Sequence, residues 1–327
     1  MDADRPGTEL PSSERPKGSR LARLQQCTTL GLLALGVAWV LGWWTRSPFW
    51  ALAGVLLCWL GYAGVLGLEL LAVWWVNRRD PTPRAGWTLL RQAWWQEVRA
   101  APLVFAWRQP FRWRCLPDGP RPQVPGAPAA VFVHGFVCNR GFWLPWMRVL
   151  RERGQSYTSV NLEPVFGSID DYVPLIEAAV QRAHALTGTP PVLICHSMGG
   201  LAARAWLART PGAAARVRQV VTIGTPHYGT WLAQFSHLPN GRQMRIGGGW
   251  LRNLAAREAG QAHTPDYARF ICWYSNADNI VFPASTATLP GADNRLLPGA
   301  AHVALAFQPR VMADTLALLS PTASAAS

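Results

Sequence analysis

The sequence predicts an α/β fold: a mostly parallel sheet with helices on both faces, preceded by two transmembrane helices. Two observations predict it. From residue 129 onward, short β-branched and aromatic runs alternate with helix-forming stretches, the pattern of parallel strands joined by crossover helices. Ahead of them stand two apolar runs, each about as long as the ~20 residues a helix needs to cross a bilayer. The 327 residues suffice for one large domain plus a small addition, and with 50% hydrophobic and 15% charged the chain is too apolar to be disordered.

Residues 1–26 are polar, rich in Pro, Ser and Arg, and expected to be disordered. Residues 27–44 then run without a charge, and residues 49–76 are interrupted by Glu69 alone, so 27–76 reads as a two-helix membrane hairpin. Trp43, Trp44, Phe49 and Trp50 gather at one end of the pair and Trp74 and Trp75 at the other, as aromatic belts do. A cleavable signal peptide is the alternative reading of the first run. Against it, no small-residue cleavage site follows, and the second run begins after "TRSP". Glu69 either pairs with a functional group inside the membrane or sits where an overlong helix emerges into the interface; the surplus length favours emergence.

Positive charge sets the orientation. Arg15, Lys17, Arg20 and Arg23 precede the first run, Arg78, Arg79, Arg84 and Arg91 follow the second, and Arg46 alone lies between. Both flanks are therefore expected in the cytoplasm of a bacterial-type inner membrane, with the tight loop outside and the C-terminal domain cytoplasmic.

Residues 77–128 form an aromatic and basic segment ending in the proline-rich linker 117–128. Trp87, Leu90, Trp94 and Val98 recur at helical spacing. They suit either an amphipathic helix lying in the interface or a helix packing its aromatic face on the next domain. The net charge of +13 is scattered, without a Lys/Arg-rich block, which argues against nucleic acid; Arg beside Trp suits an anionic lipid surface. Twelve of the 18 Trp precede residue 114. Membrane lipids are thus the expected partner, and no obligate protein partner is evident. The six cysteines show no metal-binding or C-x-x-C spacing and are expected to be free thiols.

The domain at 129–320 is expected to hold strands at 129–134, 156–162, 191–196, 217–224, 269–276 and 294–299. Helices are expected around 143–153, 170–187 and 198–209 and after His302, with a cap or lid over 234–266 that turns at Gly247-Gly248-Gly249. The chemistry centres on "PVLICHSMGG" (191–200), where a buried strand gives way at once to a helix. A serine on such a sharp turn is exposed to a substrate while the helix N-terminus faces the developing oxyanion. A serine that merely capped the helix would need nothing else in the chain.

Residues from about 129 to the end resemble the α/β-hydrolase superfamily, and within it the bacterial lipases and esterases. "VFVHGF" (131–136) matches the strand and His-Gly oxyanion turn, with His134 and Gly135 in motif positions. "CHSMGG" (195–200) matches the Gly-His-Ser-Met-Gly-Gly elbow except that Cys195 replaces its first glycine. "TIGTPHYGTWLA" (222–233), "YSNADNIVFP" (274–283) and "LPGAAHVAL" (297–305) match the Thr-Pro-His stretch and the loops of the acid and the histidine. The resemblance implies Ser197 as nucleophile, His302 as base and Asp278 as acid, with Asp293 the runner-up. It places the oxyanion hole at the backbone N–H groups of Phe136 and Met198. His134, His196, Gly199 and His227 become motif supports. No metal or organic cofactor is implied. The expected activity is cleavage of carboxylic, lipid or acyl, esters through an acyl-serine. A thioesterase or acyltransferase would use the same triad, and a non-catalytic hydrolase-fold membrane scaffold is the reading from another class. Cys195 as a reactive thiol is disfavoured, because adjacent strand residues point to opposite faces and His196 cannot reach it.

Overall fold

The computed structural model describes residues 18–119, 122–260 and 267–321. Of the tail expected to be disordered, residues 1–17 lie outside the described residues. The remainder is ordered: Ser19 caps a helix by accepting from Ala22 N–H, and α1 (Arg20–Trp44) starts seven residues before the apolar run. After a tight turn, α2 (Pro48–Val76) begins with Ser47 as N-cap and Pro48 in its first turn, where the missing N–H costs nothing. The Trp39 indole donates to Trp50 O at 3.0 Å and lies against Gly54, where a Cβ would come within 2.1 Å of the ring. Any larger residue there would push the two helices apart.

Both helices are long and apolar enough to cross a membrane. Among the described residues, only the ends facing away from their connecting turn pack on the rest of the chain. In α1 these are Leu21, Ala22 and Gln25; in α2 they are mainly Ala63, Leu66, Leu70 and Val73. The hairpin therefore projects from the domain with its turn farthest out.

Next come α3 (Trp87–Pro102) and a π-helical segment, Leu103–Arg112, that continues it. The expected aromatic stripe splits in two. Trp94 donates to Ala63 O on α2 at 2.7 Å and Trp74 stacks on Trp87, while Leu90, Ala93 and Glu97 are buried against the domain. The start of the proline-rich linker and the residues just before it are fastened to the domain: Arg140, buried, donates to the carbonyls of Trp113 and Leu116 and pairs with Asp118 at 2.5 Å. Asp118 in turn accepts from Ser159 N–H at 2.8 Å, and Tyr157 OH donates to Pro117 O.

Six parallel strands make the sheet: β1 (Ala130–Val133), β2 (Tyr157–Ser159), β3 (Val192–His196), β4 (Gln219–Ile223), β5 (Phe270–Tyr274) and β6 (Asp293–Leu296), in the order β2-β1-β3-β4-β5-β6. Helices α4 (Leu144–Glu152), α5 (Val173–Thr187), α6 (Met198–Arg209), the short α7 (Pro239–Gln243), α8 (Gly249–Gly260), α9 (His302–Leu305) and α10 (Pro309–Ala317) complete it. The second strand is shorter than the seven residues expected, because the chain leaves the ladder after Ser159. Strand alternation divides the core. Val131, Val133, Leu193 and Cys195 join α5 and α6 on one face, while Ala130, Phe132, Val192 and Ile194 join α4 and α10 on the other. A sheet buried on both faces explains why its central strands read as unbroken apolar runs.

Candidate active site

All five inter-strand pairs are parallel, so every β-to-helix turn opens at one edge, and that edge gathers the motif residues. β3 ends at His196 and α6 starts at Met198, leaving Ser197 to turn the chain alone, at φ 54° and ψ −130°. A residue with a Cβ adopts such a left-handed conformation only where its surroundings impose it. Here they do: Ser197 N–H donates to Ile223 O at 2.9 Å, and its carbonyl accepts from Thr225 Oγ1 at 2.9 Å and Gly200 N–H at 3.1 Å. The Ser197 side chain makes no capping bond among the described residues, so the hydroxyl is not spent on the helix.

Glycines permit this close packing. A Cβ on Gly135 would lie 2.7 Å from the Ser197 Cβ, and one on Gly199 would lie 2.5 Å from Val133 O. Position 195 carries no such demand. Cys195 has no left-handed φ, its side chain is fully buried in the core shared with Val133 and Met198, and burial pushes its thiol far above the usual range. Its departure from glycine leaves the turn intact.

Asp278 lies in the loop after β5 and His302 starts α9. Asp278 Oδ2 accepts from His302 Nδ1 at 2.9 Å, while its Oδ1 accepts from the N–H groups of Ile280 and Val281 at 2.9 and 2.7 Å. Both side chains are buried. With a carboxylate as partner, the Nδ1 proton of His302 is fixed and Nε2 is left as the basic nitrogen. Burial pulls the His302 imidazole down, but Asp278, with Glu97 and Glu69, overcomes it and the net shift is upward. Gly224, at φ 58°, floors this pair: a Cβ there would stand 3.0 Å from Asp278 Oδ2 and 3.2 Å from His302 Nδ1. Asp293 is elsewhere. It opens β6 opposite Ile271, near the N-terminal end of the strands, where it is exposed and paired with Arg295 at 2.6 Å.

The three motif histidines are buried and bonded. His134 Nε2 accepts from Leu162 N–H at 3.0 Å, so its Nδ1 donates to Gly135 O at 2.9 Å, and burial lowers its pKa to about 4. His196 Nε2 donates to His302 O at 3.2 Å and its ring stacks on Phe142 at 4.4 Å. His227 Nε2 meets Thr222 Oγ1 at 3.1 Å. Burial drives both His196 and His227 well below the ordinary value, so they stay neutral. Met198 N–H is one of the first-turn donors that α6 cannot use itself. Phe136 follows Gly135 and precedes Val137, a second non-glycine residue with positive φ, 52°. The expected lid is tied down at α7, where Asn240 Nδ2 donates to Val165 O and Gln243 bonds Ile169 N–H and Ser168 Oγ. Phe235 and Ile246 flank α7 and are exposed; residues 261–266 of the lid lie outside the described residues.

Residues with no part in the triad read from the sequence reach this edge from the N-terminal segment. Glu97 of α3 is 3% exposed and accepts from the N–H groups of Val303 and Ala304 at 3.2 and 3.3 Å, holding the first turn of α9. Of the two readings of Glu69, its contacts match pairing: its Oε2 accepts from Asn279 Nδ2 at 2.7 Å, and Asn279 Oδ1 accepts from His302 N–H at 3.1 Å. Asn77 bonds Asn276 O and Ala284 N–H, and Asp80 accepts from Ser285 N–H and Oγ. The available signal was a carboxylate at position 97 in step with Leu90 and Ala93 on one helical face. Among the described residues, no group of three or more His, Cys, Asp or Glu side chains is placed to hold a metal ion.

The mature form of a Bacillus licheniformis lipase superposes with a TM-score of 0.55 at 17% identity, over 62% of this chain and 96% of that one. The propeptide form of that lipase superposes with a TM-score of 0.52 at 17% identity, over 64% of this chain and 54% of that one. At such identity the likeness is one of fold. Comparison with curated proteins gives no match in sequence. The model of the alpha/beta hydrolase family matches residues 130–315, more than half of the chain and all of the sheet. This chain belongs to the alpha/beta hydrolase family.

Proposed function

We propose that the protein is a membrane-anchored serine hydrolase that cleaves carboxylic esters, of lipid or acyl type, through an acyl-Ser197 intermediate. The observation that carries this reading is Ser197 held at φ 54° on the strand edge where His302 is hydrogen-bonded to buried Asp278. Ser197 Oγ attacks the ester carbonyl as His302 Nε2 takes its proton, and the cation that forms is balanced by Asp278. The N–H groups of Met198 and Phe136 receive the oxyanion. Collapse returns the proton to the leaving alcohol, and a water activated by His302 then releases the acid.

The hairpin supports the anchoring half of the reading. Residues 27–44 of α1 project beyond its packed first turns for about 27 Å, close to the ~30 Å hydrocarbon thickness of a bilayer. The domain sits at the end of the hairpin that carries the flanking arginines, so it faces the cytoplasm.

A fluorophosphonate probe on detergent-solubilised protein should label wild type and not Ser197→Ala. p-Nitrophenyl esters of graded chain length should then rank the acyl preference. Labelling that survives Ser197→Ala would refute the assignment. In intact cells an impermeant maleimide should modify Ser47→Cys and leave Ser320→Cys untouched; the reverse would place the domain outside.

A further inference from the structure

We infer that Glu97 and Glu69 are positioning residues for the base, so that the two N-terminal helices α2 and α3 complete the catalytic site as well as tether it. The inference rests on the triad reading above.

His302 has three attachments beyond Asp278, and two of them lead out of the hydrolase domain. Its own N–H goes to Asn279, and Asn279 is held by Glu69 of α2. The next two N–H groups of α9 go to the two oxygens of Glu97. Its carbonyl goes to His196 Nε2. The loops bearing the acid and the base also pack on the same helices: Ala277, Phe282, Ala301 and Ala304 share an apolar cluster with Leu70, Val73, Leu90 and Ala93. A tether would need none of this. Two carboxylates brought from roughly two hundred residues away to the backbone around one histidine are a structural commitment by the anchor to the base.

The consequence is electrostatic as well as geometric. The charged or titratable groups facing His302 are Asp278 from the loop after β5, His196 from β3, Glu97 from α3 and Glu69 from α2. Glu97 itself faces His302 and Asp278, and Tyr62 OH of α2 bonds its backbone carbonyl at 3.3 Å. Burial pushes the Glu97 carboxyl up to about 7, against the pull of His302 and the two N–H donors. With its carboxyl at about 7, Glu97 is only partly ionised across the acid limb. The negative charge that it and Glu69 do carry favours protonated His302, so neutralising either should release the proton at lower pH.

The test is the pH dependence of fluorophosphonate labelling at Ser197 in the full chain, with ester turnover beside it. In Glu97→Gln the acid limb should move down by about half a pH unit. kcat should fall severalfold with KM unchanged, because the change reaches substrate only through His302. Glu69→Gln keeps an acceptor for Asn279 and removes only the charge, so it should move the limb the same way with little loss of kcat. It also serves where Glu97→Gln fails to fold. An unmoved acid limb in folded Glu69→Gln and Glu97→Gln, with wild type labelled normally, overturns this inference and leaves the triad standing. Absence of Ser197 labelling in wild type overturns both.

Discussion

The proposed nucleophile and the proposed base of this site are built by opposite means. Ser197 is held mainly by backbone: its N–H donates to Ile223 O, its carbonyl accepts from Gly200 N–H beside the Thr225 hydroxyl, and glycines at 135 and 199 let neighbouring chain approach within Cβ distance. The loops bearing His302 and Asp278 are held by side chains from the N-terminal segment: Glu69 and Glu97 in α2 and α3, with Asn77 and Asp80 at the end of α2 and just after it. A backbone-built turn tolerates few substitutions but needs no help from outside the domain. A side-chain-built pair can be placed far from its supports in sequence, at the cost of depending on them. The comparison teaches that the N-terminal helices and the hydrolase domain meet at one candidate site, and that damage to each half should look different.

The sharpest test on the base side separates two carboxylates. Asp278→Asn should lower turnover by about four orders of magnitude, since the amide would favour the wrong His302 tautomer. Asp293→Asn should stay within about twofold of wild type, because Asp293 is an exposed partner of Arg295 at the far end of the strands. Ester kinetics on both variants checks this. Equal losses would mean that the loop after β5 does not carry the acid.

What the sequence made legible follows the same division. The elbow, the oxyanion turn and the strands around them are local constraints, written in consecutive residues, and α6 falls at the residues its pattern indicates. The supports of His302 are not local. Asn279 meets Glu69 across 210 residues and Val303 meets Glu97 across 206, and no spacing rule joins such positions. A buried carboxylate is also hidden by its helix: periodicity at Trp87, Leu90, Trp94 and Val98 drew attention to an aromatic face, while the working face runs one step round through Ala93 and Glu97. Residues 117–128 read as a proline-rich linker because proline marks loops, and the buried arginine that pairs with Asp118 at its start, Arg140, lies beyond it in the chain.

A smaller effect should appear on the nucleophile side. Gly135→Ala puts a methyl 2.7 Å from the Ser197 Cβ, so either the oxyanion turn or the serine must shift. A misplacement of this order costs about a hundredfold in turnover. Fluorophosphonate labelling should slow with it, while the pH of the acid limb stays put, because the environment of His302 is unchanged. That outcome is the converse of the one expected for Glu69→Gln. A moved limb in Gly135→Ala would mean that the two halves of the site are not built independently.

The smallest effect concerns Cys195, where the elbow departs from glycine. Its side chain fills the core between β1 and β4 on the α6 side and plays no part in the turn. Cys195→Gly therefore removes a buried thiol and adds backbone freedom to a central strand. Together these cost about 1–2 kcal/mol, or a fall in Tm of about 3–6 °C for a domain of this size. Turnover measured well below the transition should hold within about twofold, since Ser197 keeps its bonds to Ile223, Thr225 and Gly200. Thermal unfolding and ester kinetics on the same preparation separate the two quantities. Loss of activity without loss of stability would assign the Cys195 thiol a role in the reaction that its burial argues against.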